Sequence, residues 1–306
     1  MYDIIIIGAG VSGLGAAIYA GRVQMKTLVI GEPVGGTISL TNDIGNYPGF
    51  KHITGLDLAE KIKEHAKEYG TEIIERKATK VEKGKDYFNV FAGKDKFTAK
   101  TILFTTGTEW KKLEVPGEKE FAGKGVHYCA LCDGAFYKDK IIGLVGGSDS
   151  AAKEALLLAE YGKKVYIIYR KEKIRAEPIN LKRIMENKKI EIINNTNIIE
   201  IKGDKFVRSV VFDKAYKGSK EFRLDGLFIE IGRVPLVDLA KGIGVKVNEK
   251  NEIIVDREFN TNVKGIFAAG DVVDTKFKQA ITAVAGGVTA AYSAYHYIRQ
   301  DSIAHT

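Results

Sequence analysis

The chain opens with the stretch YDIIIIGAGVSG at residues 2–13. Its first six residues are mainly apolar, as in a buried parallel strand, and helix-forming residues follow the last glycine. A strand, the pattern Gly-x-Gly-x-x-Gly and a helix together predict a dinucleotide-binding turn. Gly8 permits the tight turn, Gly10 lets the backbone approach a pyrophosphate, and Gly13 allows close helix packing. We assign these three glycines and Ser12 to nucleotide binding.

A second strand is predicted at Thr27–Ile30, and an acidic residue should follow it to bind the ribose hydroxyls. Glu32 lies at about the expected spacing, although Gly31 occupies the position where the acid often falls. Glu32 is therefore either the ribose-binding residue or a solvent-exposed acid in a loop.

The order of strand, glycine-rich turn, helix and strand repeats at residues 140–169, which predicts a second nucleotide-binding unit. Ser148 stands where the glycine nearest the pyrophosphate belongs, so its side chain either crowds that group or hydrogen-bonds to it. The residues assigned to this turn are Gly146, Gly147, Ser148, Asp149 and Ser150.

Basic residues follow the last strand of this repeat, at Arg170, Lys171 and Arg175. An NAD site would have an acid near Arg170, whereas a basic residue there favours the 2′-phosphate of NADPH over NADH. An ordinary basic turn is the alternative.

The only two cysteines, Cys129 and Cys132, are separated by two residues and followed by Asp133. Such a pair can form a disulfide or hold a reactive thiolate. No metal is expected, because a zinc site needs about four ligands and the sequence offers no second pair of Cys or His. Two nucleotide-binding units and a cysteine pair together predict electron transfer to a disulfide. His127 either influences the Cys129 thiolate or is a packing or surface residue.

Composition argues against several other functions. The net charge is +8, but the basic residues are interleaved with 39 acidic residues, so nucleic-acid binding is not expected. No apolar run approaches the roughly 18 residues of a membrane span. Because a strand begins at Tyr2, we expect no signal peptide and a cytoplasmic location.

Five further segments are informative as a set: GGT at 35–37, NYPGF at 46–50, TTGT at 105–108, FAAGDV at 267–272 and KQA at 278–280. With the two turns and the cysteine pair, they resemble the low-molecular-weight thioredoxin reductases of bacteria and archaea over nearly the whole chain. The resemblance implies FAD contacts from Gly35, Gly36, Thr37, Asn46, Thr106, Gly107, Gly270, Asp271, Lys278, Gln279 and Ala280.

The fold implied by the resemblance is α/β, with two Rossmann-like dinucleotide-binding domains, the second inserted into the first. The FAD domain would comprise residues 1–114 and 242–306, and the NADPH domain, which carries the cysteines, residues 115–241. Arg233, near the second crossing between domains, is assigned to nucleotide binding. The resemblance also implies a homodimer.

The activity implied by the resemblance carries electrons from NADPH through FAD to the cysteine pair, and on to a thioredoxin-like or glutaredoxin-like protein. Cys132 would face the flavin, Cys129 would attack the partner disulfide, and Asp133 would protonate a leaving thiolate. Asp133 is otherwise a helix-capping carboxylate, and it can also have both roles. Leu131 and Leu236 replace a usual Thr and Asn. The alternatives are a related flavin reductase with another donor or partner, of the ferredoxin-NADP or peroxide-system type, or a non-catalytic dinucleotide redox sensor.

Overall fold

The structure is a computed structural model that describes residues 1–41 and 44–304. The chain divides into two compact units. Unit 1 comprises Met1–Glu109 and Val234–Thr306, and unit 2 comprises Trp110–Arg233.

The strands, in chain order, are β1 (Tyr2–Ile7), β2 (Thr27–Ile30), β3 (Glu72–Ile74), β4 (Lys80–Lys83), β5 (Phe88–Ala92), β6 (Asp95–Phe104), β7 (Thr108–Trp110), β8 (Val126–His127), β9 (Ile141–Val145), β10 (Lys164–Ile168), β11 (Ile190–Ile193), β12 (Ile198–Gly203), β13 (Val207–Tyr216), β14 (Ser219–Arg223), β15 (Gly226–Ile229), β16 (Arg233–Pro235) and β17 (Ile266–Ala268).

The α-helices are α1 (Val11–Arg22), α2 (Gly55–Glu68), α3 (Ala130–Asp133), α4 (Asp149–Tyr161), α5 (Pro178–Glu186), α6 (Asp238–Lys241) and α7 (Ala280–Ala304). Two 3₁₀ helices lie at Gly36–Leu40 and Gly134–Tyr137. Within the described residues, no helix combines the length and apolar character that a membrane crossing requires.

Unit 1 is built on a sheet in the order β3-β2-β1-β6-β5-β4, with β17 also paired to β6. The β1, β2, β3, β6 and β17 strands pair in parallel, whereas β4 and β5 form an antiparallel extension. Strand β1 is buried on both faces because its side chains alternate between two cores. Ile5 and Ile7 join one core, and Ile4 and Ile6 join another that includes apolar residues of α1 and α7.

Unit 2 contains the parallel sheet β11-β10-β9-β15-β8 and a three-stranded antiparallel sheet β12-β13-β14. Alternate residues of β9 again serve two cores. Val145 packs in a core with residues of the three-stranded sheet, and Ile142 and Leu144 pack in one with apolar residues of α4. Two parallel-sheet units, the second interrupting the first, confirm the predicted fold class.

The chain passes between the units within β7 and again within β16, earlier at both points than the sequence suggested. Residues just after β7 belong to unit 2, because the Glu118 carboxylate accepts hydrogen bonds from the backbone N–H groups of Leu113 and Glu114. Residues after β16 belong to unit 1, because Val237 and Ala240 are buried in its core.

Candidate active site

The turn between β1 and α1 has the close backbone packing that its glycines predict. Gly8 has a φ of 120°, and a Cβ atom there would lie 2.2 Å from the Thr105 carbonyl oxygen. A Cβ atom at Gly13 would lie 2.0 Å from the carbonyl oxygen of Gly8. At Gly10, by contrast, the nearest atom to a Cβ would be Gly36 Cα at 3.9 Å, so the missing side chain leaves open space in front of the turn.

The GGT segment lies directly against this turn. Gly35 N–H donates to the carbonyl oxygen of Ala9 at 2.8 Å. A Cβ atom at Gly36 would lie 2.9 Å from Gly10 Cα, so only glycine permits this approach.

A cavity of about 450 Å³ opens at this end of the unit 1 sheet. It brings together seven residues that the sequence assigned to cofactor binding, although they come from four separate segments: Gly8, Gly10, Glu32, Gly36, Thr37, Thr106 and Gly107. The carboxyl ends of parallel strands are where nucleotides bind in open α/β sheets.

Ser12 lies behind the cavity and contacts a second predicted segment. A Cβ atom at Gly270 would lie 3.0 Å from Ser12 Cβ, so the two backbones pass close together. Ser12 Oγ is buried and has no hydrogen-bond partner among the described residues. A buried hydroxyl without a partner fits a polar group bound at this point.

Other residues of unit 1 that were predicted to contact FAD form hydrogen bonds or ion pairs with one another or with residues that were not predicted. Asn46 Nδ2 donates to Gln279 Oε1 at 3.0 Å. Lys278 Nζ donates to the Asp271 carbonyl oxygen at 2.9 Å and forms an ion pair with Glu252, which the sequence analysis missed. Ala280 begins α7.

In the second glycine-rich turn, between β9 and α4, the serine has a hydrogen-bond partner within the protein. Ser148 Oγ accepts a hydrogen bond from the backbone N–H of Ala151 and so caps α4. The Asp149 carboxylate holds the segment before α5, through Glu177 N–H at 2.8 Å and Asn180 Nδ2 at 2.9 Å. These two side chains therefore have structural partners.

A cavity of about 530 Å³ lies in front of this turn, entirely within unit 2. Predicted residues that line it are Gly146, Gly147, Ser148, Arg170 and Arg175. The other predicted residues, Asp149, Ser150, Lys171 and Arg233, are not among its lining residues. The Arg233 guanidinium instead lies 5.2 Å from the centre of the Trp110 ring.

Two cations and a phenol of this cavity had no signal in the sequence. Lys111 and Lys112 line it, although they precede the turn by more than 30 residues and belong to no local motif. Tyr169 also lines it, and its buried hydroxyl has no hydrogen-bond partner in the part of the chain that the structure describes. Cations and an unpartnered hydroxyl suit a phosphate-bearing ligand.

Cys129 and Cys132 form a disulfide, with Cα atoms 5.4 Å apart, at the start of α3. Cys129 is half-buried and Cys132 exposed, so a reactant can reach the pair. The backbone N–H of Cys132 donates to Cys129 Sγ at 3.1 Å. This hydrogen bond also favours a thiolate on Cys129 once the pair is reduced.

The Asp133 side chain pairs with His127. His127 Nδ1 lies 3.0 Å from Asp133 Oδ2, and His127 Nε2 lies 2.7 Å from the Tyr137 hydroxyl. Burial, followed by the charges of Asp133 and Asp225, raises the pKa of Tyr137 to about 12. The histidine thus partners Asp133, a contact that its sequence position before Cys129 did not reveal.

A second acid lies on the α4 side of α3. Burial and the charge of Glu230 raise the pKa of Glu154 to about 8, against the opposing effects of the Ala130 N–H group and Arg233. Glu154 Oε2 is inaccessible to solvent and has no hydrogen-bond partner among the described residues. No local pattern marked this residue. Within the same residues, no cluster of His, Cys, Asp or Glu is arranged to hold a metal ion.

Two parallel-sheet nucleotide folds and a reachable Cys-x-x-Cys disulfide define an oxidoreductase that acts on disulfides. The family model described as "Pyridine nucleotide-disulphide oxidoreductase" matches residues 2–287. The chain is 40% identical over 303 residues to the thioredoxin reductase of Bacillus subtilis (strain 168), covering 98% of this chain and 96% of that protein.

Comparison with solved structures also identifies thioredoxin reductases as similar proteins. The thioredoxin reductase of Lactococcus lactis (FR conformation) matches with a TM-score of 0.91 and 39% identity, covering 98% of this chain and all of that one. The T. acidophilum thioredoxin reductase matches with a TM-score of 0.88 and 37% identity, covering 99% of both chains. The chain belongs to the pyridine nucleotide-disulphide oxidoreductase family and, within it, to the thioredoxin reductases. The family predicted from the sequence is confirmed.

Proposed function

We propose that the protein is an NADPH-dependent thioredoxin reductase that uses FAD. The reaction is NADPH + H⁺ + thioredoxin disulfide → NADP⁺ + thioredoxin dithiol. The observation that carries the proposal is the reachable Cys129–Cys132 disulfide in a chain with two nucleotide folds. A glutaredoxin-like protein is the second candidate partner, because thiol exchange demands only an accessible disulfide.

Unit 1 is the proposed FAD domain. FAD, when bound, supplies the two-electron chemistry between the nucleotide and the cysteine pair. The open space at Gly10 and the N-terminus of α1 suit the pyrophosphate. Glu32, which lines the same cavity, is proposed to bind the ribose hydroxyls. The unpartnered Ser12 hydroxyl and the segment at Gly270 and Asp271 are proposed to bind the rest of the cofactor.

Unit 2 is the proposed NADPH domain. Arg170 and Arg175 line its cavity together with Lys111 and Lys112, so four cations surround the space in front of the turn. That charge supports a ligand with a 2′-phosphate as well as a pyrophosphate. Lys171 is not among the lining residues, and we give it no part in this proposal.

The cysteines perform thiol–disulfide exchange in the proposed cycle. The Cys129 thiolate, stabilised by the Cys132 N–H group, attacks one sulfur of the partner disulfide and releases the other as a thiolate. The Cys132 thiolate then attacks Cys129 Sγ, which restores the disulfide and releases the reduced partner. The Asp133 carboxyl group is proposed to supply a proton to a departing thiolate.

A homodimer and a cytoplasmic location are also part of the proposal. The homodimer is expected from the resemblance. The cytoplasmic location is expected from the sequence and is supported by the chemistry of the cysteine pair. A cysteine pair that must cycle between disulfide and dithiol works in a reducing compartment.

Purified protein tests the function directly. NADPH should bleach the bound flavin under anaerobic conditions and should drive reduction of thioredoxin. Cys129→Ser and Cys132→Ser should each keep the flavin and its reduction by NADPH but abolish thioredoxin reduction. Full thioredoxin reduction by either variant would contradict the cysteine pathway, and binding of nucleotide without turnover would favour the redox sensor.

A further inference from the structure

One buried histidine lies beside α3, the helix at whose start the disulfide forms. His127 is the last residue of β8, is 8% exposed, and stacks on Phe228 with ring centres 5.2 Å apart. Its strand pairs with β15, where Phe228 is the partner of His127 in the register. The ring position is therefore fixed by the sheet and by packing.

Both ring nitrogens of His127 have partners that suit the neutral and the charged ring. An ionised carboxylate can only accept, so Nδ1 carries the hydrogen that faces Asp133 Oδ2. In the charged ring Nε2 donates to the Tyr137 hydroxyl oxygen. When the Nδ1 proton passes to Asp133, Nε2 keeps its hydrogen and this contact, and Nδ1 accepts from the Asp133 carboxyl group. His127 can therefore gain or lose a proton without breaking either contact.

Tyr137 is suited to this exchange because it remains a neutral phenol. Burial, with the charges of Asp133 and Asp225, raises its pKa to about 12. Its ring also packs on Phe228 with centres 5.5 Å apart. A Cβ atom at Gly226 would lie 2.1 Å from Tyr137 Cε1, so glycine is required for the ring to occupy this place.

Asp133 connects this buried pair with the reacting sulfurs and with water. It follows Cys132 directly and is the last residue of α3. Its side chain is 31% exposed, against 9% for that of His127. Protons that move between His127 and solvent have a path through the Asp133 carboxylate.

Other titratable groups act on the same region. Asp225, before β15, affects Tyr137 and accepts a hydrogen bond from Ile141 N–H at 2.8 Å. Glu154 on α4 bonds to the backbone of Ala130 in α3. The hydroxyl of Tyr128, the residue after His127, donates to Glu118.

We propose that His127 positions Asp133 and holds the proton that Asp133 passes to the cysteine pair. The inference rests on the proposed redox role of the Cys129–Cys132 disulfide. When two electrons from the reductant break the S–S bond, two thiolates form. Asp133 takes a proton from Nδ1 of the His127 imidazolium and passes it to one thiolate, leaving a thiol, a carboxylate and a neutral imidazole that keeps its Nε2 hydrogen. Solvent returns the proton to His127 through Asp133.

His127→Asn tests the inference, because the amide keeps an N–H group near Asp133 but cannot take up a proton. The matched control is His65→Asn, since His65 is an exposed residue of α2 in unit 1. The readout is the rate at which dithiothreitol reduces the Cys129–Cys132 disulfide between pH 5 and pH 9. This assay needs neither NADPH nor thioredoxin, so it is independent of the proposed overall activity.

The wild-type and His65→Asn profiles should share an inflection within this pH range. His127→Asn should lack it, with a rate roughly tenfold lower near pH 6 and close to wild type near pH 9. A His127→Asn profile that matches wild type would overturn the proposal.

Tyr137→Phe is a second variant, used because it keeps the ring and its packing. It removes the partner of Nε2 in both protonation states, so the inflection should move by a measurable amount. An unmoved inflection would contradict the role given to Tyr137. Failure of NADPH-driven thioredoxin reduction with an intact inflection would instead count against the proposed function alone.

Discussion

Asn46 and Gln279 are joined by a 3.0 Å hydrogen bond from Asn46 Nδ2 to Gln279 Oε1, across 233 positions of sequence. Each residue lies in a segment that the sequence analysis assigned to FAD through resemblance. Their contact brings the two segments together in unit 1, as a common binding site requires.

Asn46→Ala should weaken FAD binding without unfolding unit 1. The lost hydrogen bond corresponds to about 0.5–1.5 kcal/mol, which is a few-fold increase in the dissociation constant. Flavin retained after ultrafiltration measures this change. Asn89→Ala is an unsuitable comparison because Asn89 is buried. Asn251→Ala is a better control, since that residue is exposed in a turn. Equal flavin loss in both variants would contradict the assignment of Asn46.

Arg170→Ala should discriminate between the two nicotinamide cofactors. Loss of a charge-assisted hydrogen bond to a 2′-phosphate costs about 1.5–3 kcal/mol, so NADPH affinity should fall roughly 10- to 100-fold while NADH affinity changes little. Stopped-flow bleaching of the flavin at several nucleotide concentrations gives both affinities. Lys171→Ala is the matched control, because Lys171 is adjacent and exposed but does not line the cavity. Equal losses for NADPH and NADH would remove the 2′-phosphate argument.

Ser148→Ala should lower the stability of unit 2. The hydroxyl caps α4 through Ala151 N–H, and loss of such a cap costs about 1 kcal/mol. Ser148→Gly should cost only a few tenths of a kcal/mol, because glycine is a tolerated cap residue. Thermal unfolding of the two variants measures the difference. A sharp loss of NADPH affinity in Ser148→Ala, with no change in stability, would show that the hydroxyl binds the pyrophosphate instead.

Glu154→Gln should change how stability depends on pH. Burial and the charge of Glu230 raise the pKa of Glu154 from 4.5 to about 8. The folded state therefore binds this proton more tightly than the unfolded chain. The contribution of this bound proton to the free energy of unfolding is complete below about pH 4.5 and is lost as the pH rises to about 8.

The glutamine variant stays neutral, so it should be more stable than wild type at pH 8 by about 1–3 kcal/mol and similar to it at pH 4.5. Midpoints of thermal unfolding across this range provide the measurement. Glu160→Gln, an exposed residue of the same helix, is the control and should follow the wild-type curve. Parallel curves for wild type and Glu154→Gln would refute the prediction.

Local patterns in the sequence predicted the elements that bind nucleotides. The turn at Gly8 and its repeat at Gly146 were found because strand, turn and helix each have a short-range signature. Cys129 and Cys132 were found in the same way, since their spacing is itself local.

Contacts between distant segments had no such signature. Lys111 and Lys112 join the second cavity through the fold, and the pairing of His127 with Asp133 depends on where α3 begins. The role of Ser148 as a helix cap was not predicted, because its position in a glycine-rich turn pointed only to a pyrophosphate. The sequence suggested boundaries between the units that lie several residues later in the chain than those in the structure. Strands β7 and β16, which contain the boundaries, have three residues each, too few to show a periodic pattern.

The interruption of unit 1 by unit 2 affects the order in which the protein can fold during synthesis. Helix α1 packs with α7 in one core, and β6 pairs with β17, so residues 1–109 leave the ribosome without their partners. Unit 2 is continuous and is fully translated at Arg233. Until the last 40 or so residues emerge, the nascent chain therefore carries an incomplete apolar sheet in which strand β1 is exposed. During this interval the chain is most prone to aggregate and depends most on chaperones.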